Sequence, residues 1–171
     1  MKRFATLIAA IALCAAAWGQ NSLEALKERM LLTRVSLDYS YVIDGKVPVK
    51  GTGTLLLQGR CYHLTGNGLD IRSDGTTRWT VDSESKEVYI ESAEDTEVEF
   101  FFTDPEKMLA GVSDLDITSD SVSGVYSDPG NGSKIRFSLS KMKSSEIKET
   151  PEEFRFDLAV TDSTWTVTDL R

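Results

Sequence analysis

The chain has 171 residues, 40% of them hydrophobic, with 27 acidic against 19 basic side chains, one histidine and a formal net charge of −8. That balance argues against nucleic acid as a partner and against docking on anionic lipid through a broad basic patch. Two cysteines in a chain of this length exclude a disulfide-stapled scaffold.

The chain opens with Lys2-Arg3, an apolar run from Phe4 to Trp18, and Gly19-Gln20 at the start of polar sequence. A basic n-region, an apolar h-region and small residues at a cleavage point describe a secretory signal, with the cut expected after Gly19. A rival reading would lipidate Cys14, but Leu13 stands where a small residue is wanted. The expected organisation is a signal peptide over residues 1–19 and one exported domain over residues 20–171. Loss of Lys2 and Arg3 leaves 17 basic against 27 acidic residues, a formal charge of −10. No second apolar stretch approaches the ~20 residues that span a bilayer.

A short helix comes first: Asn21 can cap it, Glu24 stands where a capping box wants it, and Leu23, Leu26 and Met30 share a face. From Val35 the period becomes 2, with Val35, Leu37, Tyr39 and Tyr41 on one side, then Asp44-Gly45 as a hairpin turn. Val49 to Gln58 places Gly51, Gly53, Leu55 and Leu57 on one face, and glycines inside a strand mark a bend or a close approach to the backbone. Cys61 to Thr65 follows, and Gly66-Asn67-Gly68 turns into a hairpin from Leu69 to Asp82 around Ser73-Asp74-Gly75. Its apolar members, Leu69 and Ile71, then Thr77, Trp79 and Val81, are expected on one face.

Val88 and Ile90, then Val98, Phe100 and Phe102, continue the alternation. From Asp104 to Val112 a capping residue, Pro105, an acidic first turn and Gly111 predict one or two turns of helix. Further strands are expected at Leu115 and Ile117, Val122 to Tyr126, Ile135 to Leu139, Phe154 to Leu158, and Trp165 to Val167. The fold class is mainly β (α+β): an unclosed antiparallel β-barrel, or strongly curved sheet, of about ten to twelve strands with one greasy face. The N-terminal helix and the mid-chain helix would cover that face, and the remaining volume is either packed core or a ligand cavity.

Cys61 and His63 lie two apart on a strand, but two ligands do not make a metal site, and a triad would have to be built on the only histidine. No metal, no cofactor and no enzymatic step are expected.

Gly51-x-Gly53-x-Leu55 through Gly59-Arg60, a strand, and then Ser73-Asp74-Gly75-x-x-x-Trp79 resemble the first half of the periplasmic lipoprotein carrier (LolA) family. The closing Thr164 to Arg171 is similar to the short C-terminus of LolA-like proteins from the Bacteroidetes. The family's Arg-Pro turn stands here as Gly59-Arg60, without the proline. The resemblance implies a monomeric periplasmic chaperone whose apolar hollow receives the acyl chains of lipoproteins. It also implies an inner-membrane lipoprotein-releasing ABC transporter as donor and an unidentified outer-membrane acceptor. The expected lining is Leu37, Tyr39, Leu55, Leu57, Leu64, Ile71, Trp79 and Ile90, with Met108, Leu109 and Val112 in the lid and Arg60 as a tether between sheet and lid. The alternatives are a carrier of another amphiphile, such as a free lipid or glycolipid, and an envelope assembly or interaction protein with a filled core.

Overall fold

The computed structural model describes residues 24–93, 111–127, 132–149 and 152–171. Among these residues a helix, α1 (residues 24–32), precedes ten strands: β1 (Arg34–Ile43), β2 (Val49–Gln58), β3 (Cys61–Gly66), β4 (Leu69–Ser73), β5 (Thr77–Asp82), β6 (Glu87–Ser92), β7 (Val112–Ile117), β8 (Val122–Ser127), β9 (Lys134–Ser145) and β10 (Thr166–Asp169). They form one sheet in the order β10-β6-β5-β4-β3-β2-β1-β9-β8-β7, not closed into a barrel. Every pair is antiparallel except β10 with β6.

Turn chemistry sets the register. Asn67 and Gly68, at φ 53° and 84°, make the two-residue β3–β4 turn, which glycine and asparagine tolerate better than other residues. That turn pairs Leu64 with Ile71 on one face. At the next hairpin Asp74 N–H donates to the Thr77 carbonyl at 3.1 Å, and the Asp74 carboxylate accepts from the Thr76 and Thr77 amides at 3.0 and 2.9 Å. Gly75-Thr76 is therefore the loop, and Ile71 pairs with Thr80 while Arg72 pairs with Trp79.

This overturns the expectation of a single greasy face. A two-residue loop pairs odd positions with even ones, so the odd-numbered apolar residues of β4 and β5 point to opposite sides. Leu69 and Ile71 belong to the face that carries α1; Thr77, Trp79 and Val81 belong to the other.

The face of α1 holds the main core. Leu26 and Met30 pack with Val35, Leu37, Leu55, Leu57, Tyr62 and Met142, all buried. Arg29 fixes the helix by donating to Ser144 Oγ at 2.5 Å and to the Ser119 and Met142 carbonyls at 2.7 Å each. Lys141, at φ 54°, sits where the β1–β9 register shifts between Ser36 and Asp38; the extra residue lets Met142 point into the core while the Lys141 ammonium reaches Asp38 at 2.7 Å on the other side.

The opposite face holds a second cluster, Val81, Val88 and Ile90, with Trp79, Phe156 and Trp165 packed on it. The chain after β9 crosses this face to reach β10. Gln58 pairs its amide with the Lys148 backbone in both directions, at 2.8 and 3.1 Å. Glu153 binds Arg34 at 2.9 Å and Lys148 at 2.8 Å, and Phe154 is fully buried under the Arg34 guanidinium. Arg72 donates to the Arg155 carbonyl at 2.9 Å and lies over Phe156. Phe154 to Leu158, expected as a strand, is instead two 3-10 turns, Glu152–Phe154 and Leu158–Val160. Here Phe154 and Phe156 act as plugs on a strap, so ladder pairing gives way to side-chain insertion.

Candidate functional site

Beyond α1, no other described element lies over the same face. The described helix spans about 13 Å at 1.5 Å per residue, while β1, ten residues long, runs about 33 Å. The uncovered half, where β1 ends, carries a hollow of about 510 Å³. Its walls are Leu64, Leu69 and Ile71 on one side and Ile135, Phe137 and Leu139 on the other. The outermost wall residues come from β4 and β9, four strand spacings apart, which in a flat sheet would be about 19 Å. One hollow lined by both requires the sheet to curl.

The floor is built from tyrosines laid over glycines. Tyr39 pairs with Gly53 and Tyr41 with Gly51 across β1–β2, and the two rings stack with centroids 6.4 Å apart and planes within 5°. A Cβ on Gly53 would stand 1.8 Å from the Thr65 carbonyl and 2.7 Å from the Tyr39 hydroxyl; on Gly51 it would meet the Tyr41 ring, and on Gly66 the Tyr39 hydroxyl. Three missing side chains thus let two large rings lie along the sheet, flat against it, so the hollow stays open. Tyr39 O–H donates to the Thr65 carbonyl at 3.4 Å, and Asn67 donates to the Tyr41 hydroxyl at 3.2 Å. Burial, and then the neighbouring Tyr41, push the Tyr39 phenol above its ordinary range. Tyr39 is therefore uncharged at neutral pH, and among the described residues no Asp, Glu, Lys, Arg or His lines the hollow.

A second depression, about 420 Å³, lies on the other face and is lined in part by Asp38, His63, Lys141 and Lys143. Beside it Asp70 accepts from His63 at 2.9 Å and from Arg72 at 3.0 and 2.8 Å. Burial works to raise the Asp70 pKa, but these hydrogen bonds and the charge of Arg72 outweigh it and hold the carboxyl well below the usual range. His63 is thus engaged in a structural ion cluster. Cys61, two residues away, is raised by burial and by Asp74, which leaves it a thiol at neutral pH. Among the described residues no three His, Cys, Asp or Glu side chains gather into a metal-binding group.

The structure divides the expected lining. Tyr39, Leu64 and Ile71 line the hollow. Leu37, Leu55 and Leu57 are filled core beneath α1 rather than hollow wall. Trp79 and Ile90 lie on the opposite face under the strap, for the register reason given above. Val112 is the first residue of edge strand β7, packed against Gly124, and not part of a helix. Arg60 sits exposed in the β2–β3 turn beside Gly75. Met108 and Leu109, with the mid-chain helix and the strand around Phe100, lie outside the described residues.

Sequence reasoning passed over Tyr41, Ile43, Asn67, Leu69, Ile135, Phe137 and Leu139 as lining. Glycines at positions 51 and 53 were the available signal for Tyr41, since each faces a tyrosine once the Ile43–Val49 hairpin is closed. Comparison with protein-family models and with curated proteins gave no match to this chain.

Proposed function

We propose that this protein is a periplasmic lipid-binding carrier of the LolA type, which shields the acyl chains of lipoproteins in the hollow over Tyr39 and Tyr41 and carries out no chemical step. One observation carries the reading: a hollow of about 510 Å³, inside the range of small-molecule sites, has no charged side chain among the described residues that line it. Each methylene taken from water into such a surface is worth about 0.8 kcal/mol, so an acylated cargo gains enough to cross an aqueous compartment. Export through the N-terminal signal and a donor transporter in the inner membrane complete the proposal.

Native mass spectrometry of freshly purified mature protein, with a fluorescent-lipid titration, tests it. A bound acylated peptide and saturable uptake are expected. A bound free lipid would narrow the function to a carrier of another amphiphile, and a clean apo mass with no uptake would overturn it.

A further inference from the structure

We infer that the β1–β2 hairpin tip, with the start of β9, docks on an anionic phospholipid surface. The idea rests on the carrier reading only for its purpose, that of bringing the mouth of the hollow to the lipid. Ile43 pairs with both Val49 and Ile135 on the hollow face, and Ile43 and Ile135 also belong to the hollow or its wall. One residue further in, Val42 pairs with both Lys50 and Arg136, whose side chains project from the other face. The end of the sheet is therefore amphipathic across its thickness, with an apolar row continuous with the hollow and a basic row behind it.

The tip adds to both rows. Val47 is 81% exposed and Val49 54% exposed, and the exposed Lys46 and Lys50 flank them in sequence. Lys134 joins on β9, its carbonyl accepting from Asp44 N–H at 2.9 Å. Four cations, Lys46, Lys50, Lys134 and Arg136, thus stand around one described carboxylate, Asp44, which Arg136 already holds at 2.6 Å. In a chain of net charge −8 this corner is locally positive. The acidic β5–β6 turn, with Asp82, Glu84 and Glu87, lies at the same end but three to four strands away, about 14 to 19 Å along the sheet, and so limits contact to the β2-β1-β9 corner. Exposed valines beside lysines match the headgroup layer, where apolar groups insert and cations meet phosphate. A single exposed valine is ordinary surface; Val49, paired with the hollow residue Ile43 and followed by Lys50, belongs to a larger apolar edge.

The test is sedimentation of the mature protein with vesicles of phosphatidylcholine alone or with added phosphatidylglycerol, at low and high salt. The wild type should partition onto the anionic vesicles and leave them at high salt. Lys46→Gln with Lys50→Gln should weaken partitioning about 30-fold, since each cation at such a surface is worth about 1 kcal/mol, and Val47→Asn should weaken it about tenfold. These residues are exposed and none lines the hollow, so both variants should melt as the wild type does and take up fluorescent lipid equally well without vesicles. Equal binding to both vesicle types, or undiminished binding by the double variant, overturns the docking site. Uptake without docking removes this inference and leaves the carrier; docking without uptake does the reverse.

Discussion

The two faces of the sheet bury apolar residues in opposite ways. On the face crossed by the strap, Val81, Val88 and Ile90 are almost fully buried because the chain's own Phe156 and Trp165 close over them. On the face of α1, the residues under the helix are buried, whereas around the hollow Phe137 and Leu139 are buried but Tyr39, Tyr41, Ile43, Leu64, Ile71 and Ile135 remain half-buried. Both regions draw on strands of the same alternating type. What separates them is whether another part of the described chain arrives to cover them, and alternation is silent on that.

The contrast breaks most sharply through a paired substitution. Val88 has no exposed surface and apolar neighbours, so Val88→Asp places an unpaired carboxylate where no water reaches, and a loss of about 4 kcal/mol or more is expected. Leu69, 37% exposed at the rim of the hollow, can be changed to Asn with a loss of about 1 kcal/mol, because the amide stays hydrated. Urea melts on the two variants measure the difference. Similar losses would mean that the hollow is as tightly filled as the sealed cluster.

Much of the fold was legible because hairpins announce themselves. Asn67-Gly68, Gly59-Arg60 and Asp82 to Lys86 fall where the turns are, and the alternation of β1, β2 and β9 places their apolar residues correctly. The face of β5 was misread because periodicity locates apolar positions along a strand, whereas the side they occupy depends on whether the loop has an even or odd number of residues. Moving the loop to Gly75-Thr76 carries Trp79 and, through pairing, Ile90 to the other face. Half of the hollow was out of reach for a different reason. Ile135, Phe137 and Leu139 meet Tyr39 and Tyr41 through a β1–β9 pairing about a hundred residues apart, which no local pattern encodes. The strap was missed because Phe154 and Phe156 mimic strand spacing while serving as plugs.

The glycine floor sharpens the comparison within the open face. Gly53→Ala drives a methyl group against the Thr65 carbonyl, a backbone atom that moves only if β2 and β3 part, so about 3 kcal/mol should be lost. Gly51→Ala meets only the Tyr41 ring and the end of Asn67, both able to swing. It should cost about 1 kcal/mol and lift the ring into the hollow, weakening lipid uptake several-fold. Thermal melts beside a fluorescent-lipid titration separate the two outcomes; unchanged uptake in the Gly51 variant would show that the flat tyrosines do not set the volume.

The strap responds to acid. Hydrogen bonds from Lys148 and the backbone, with the charge of Arg34, hold Glu153 down to about 2, and Asp70 is lowered too. Both folded values are depressed, so their contribution is present above the unfolded carboxylate range near 4 and is lost as pH falls toward 2. Glu153 is well exposed, and solvent screening reduces its share to a fraction of a kcal/mol. Trp165 fluorescence followed from pH 5 to pH 2 should report loosening of the strap, and Glu153→Gln should flatten part of that transition. A profile identical to the wild type would remove Glu153 as a fastener.

Cys61 should give the smallest effect of all. It lies on β3 at the strap face, partly buried, opposite Gln58, and its nearest charged neighbours are Asp74, Arg155 and Arg60. Burial and Asp74 raise the thiol pKa more than the two arginines lower it, so little thiolate exists at neutral pH. His63, on the same side of the strand, is held by Asp70 at 2.9 Å, and the hollow lies on the other face of the sheet. Cys61→Ser should therefore change stability by about 0.5 kcal/mol or less and leave lipid uptake unaltered. The wild-type thiol should react with a disulfide reagent more slowly than a free cysteine does. Fast reaction, or loss of uptake in a variant that still melts normally, would place chemistry on the strap face, where the geometry assigns only packing and ion pairs.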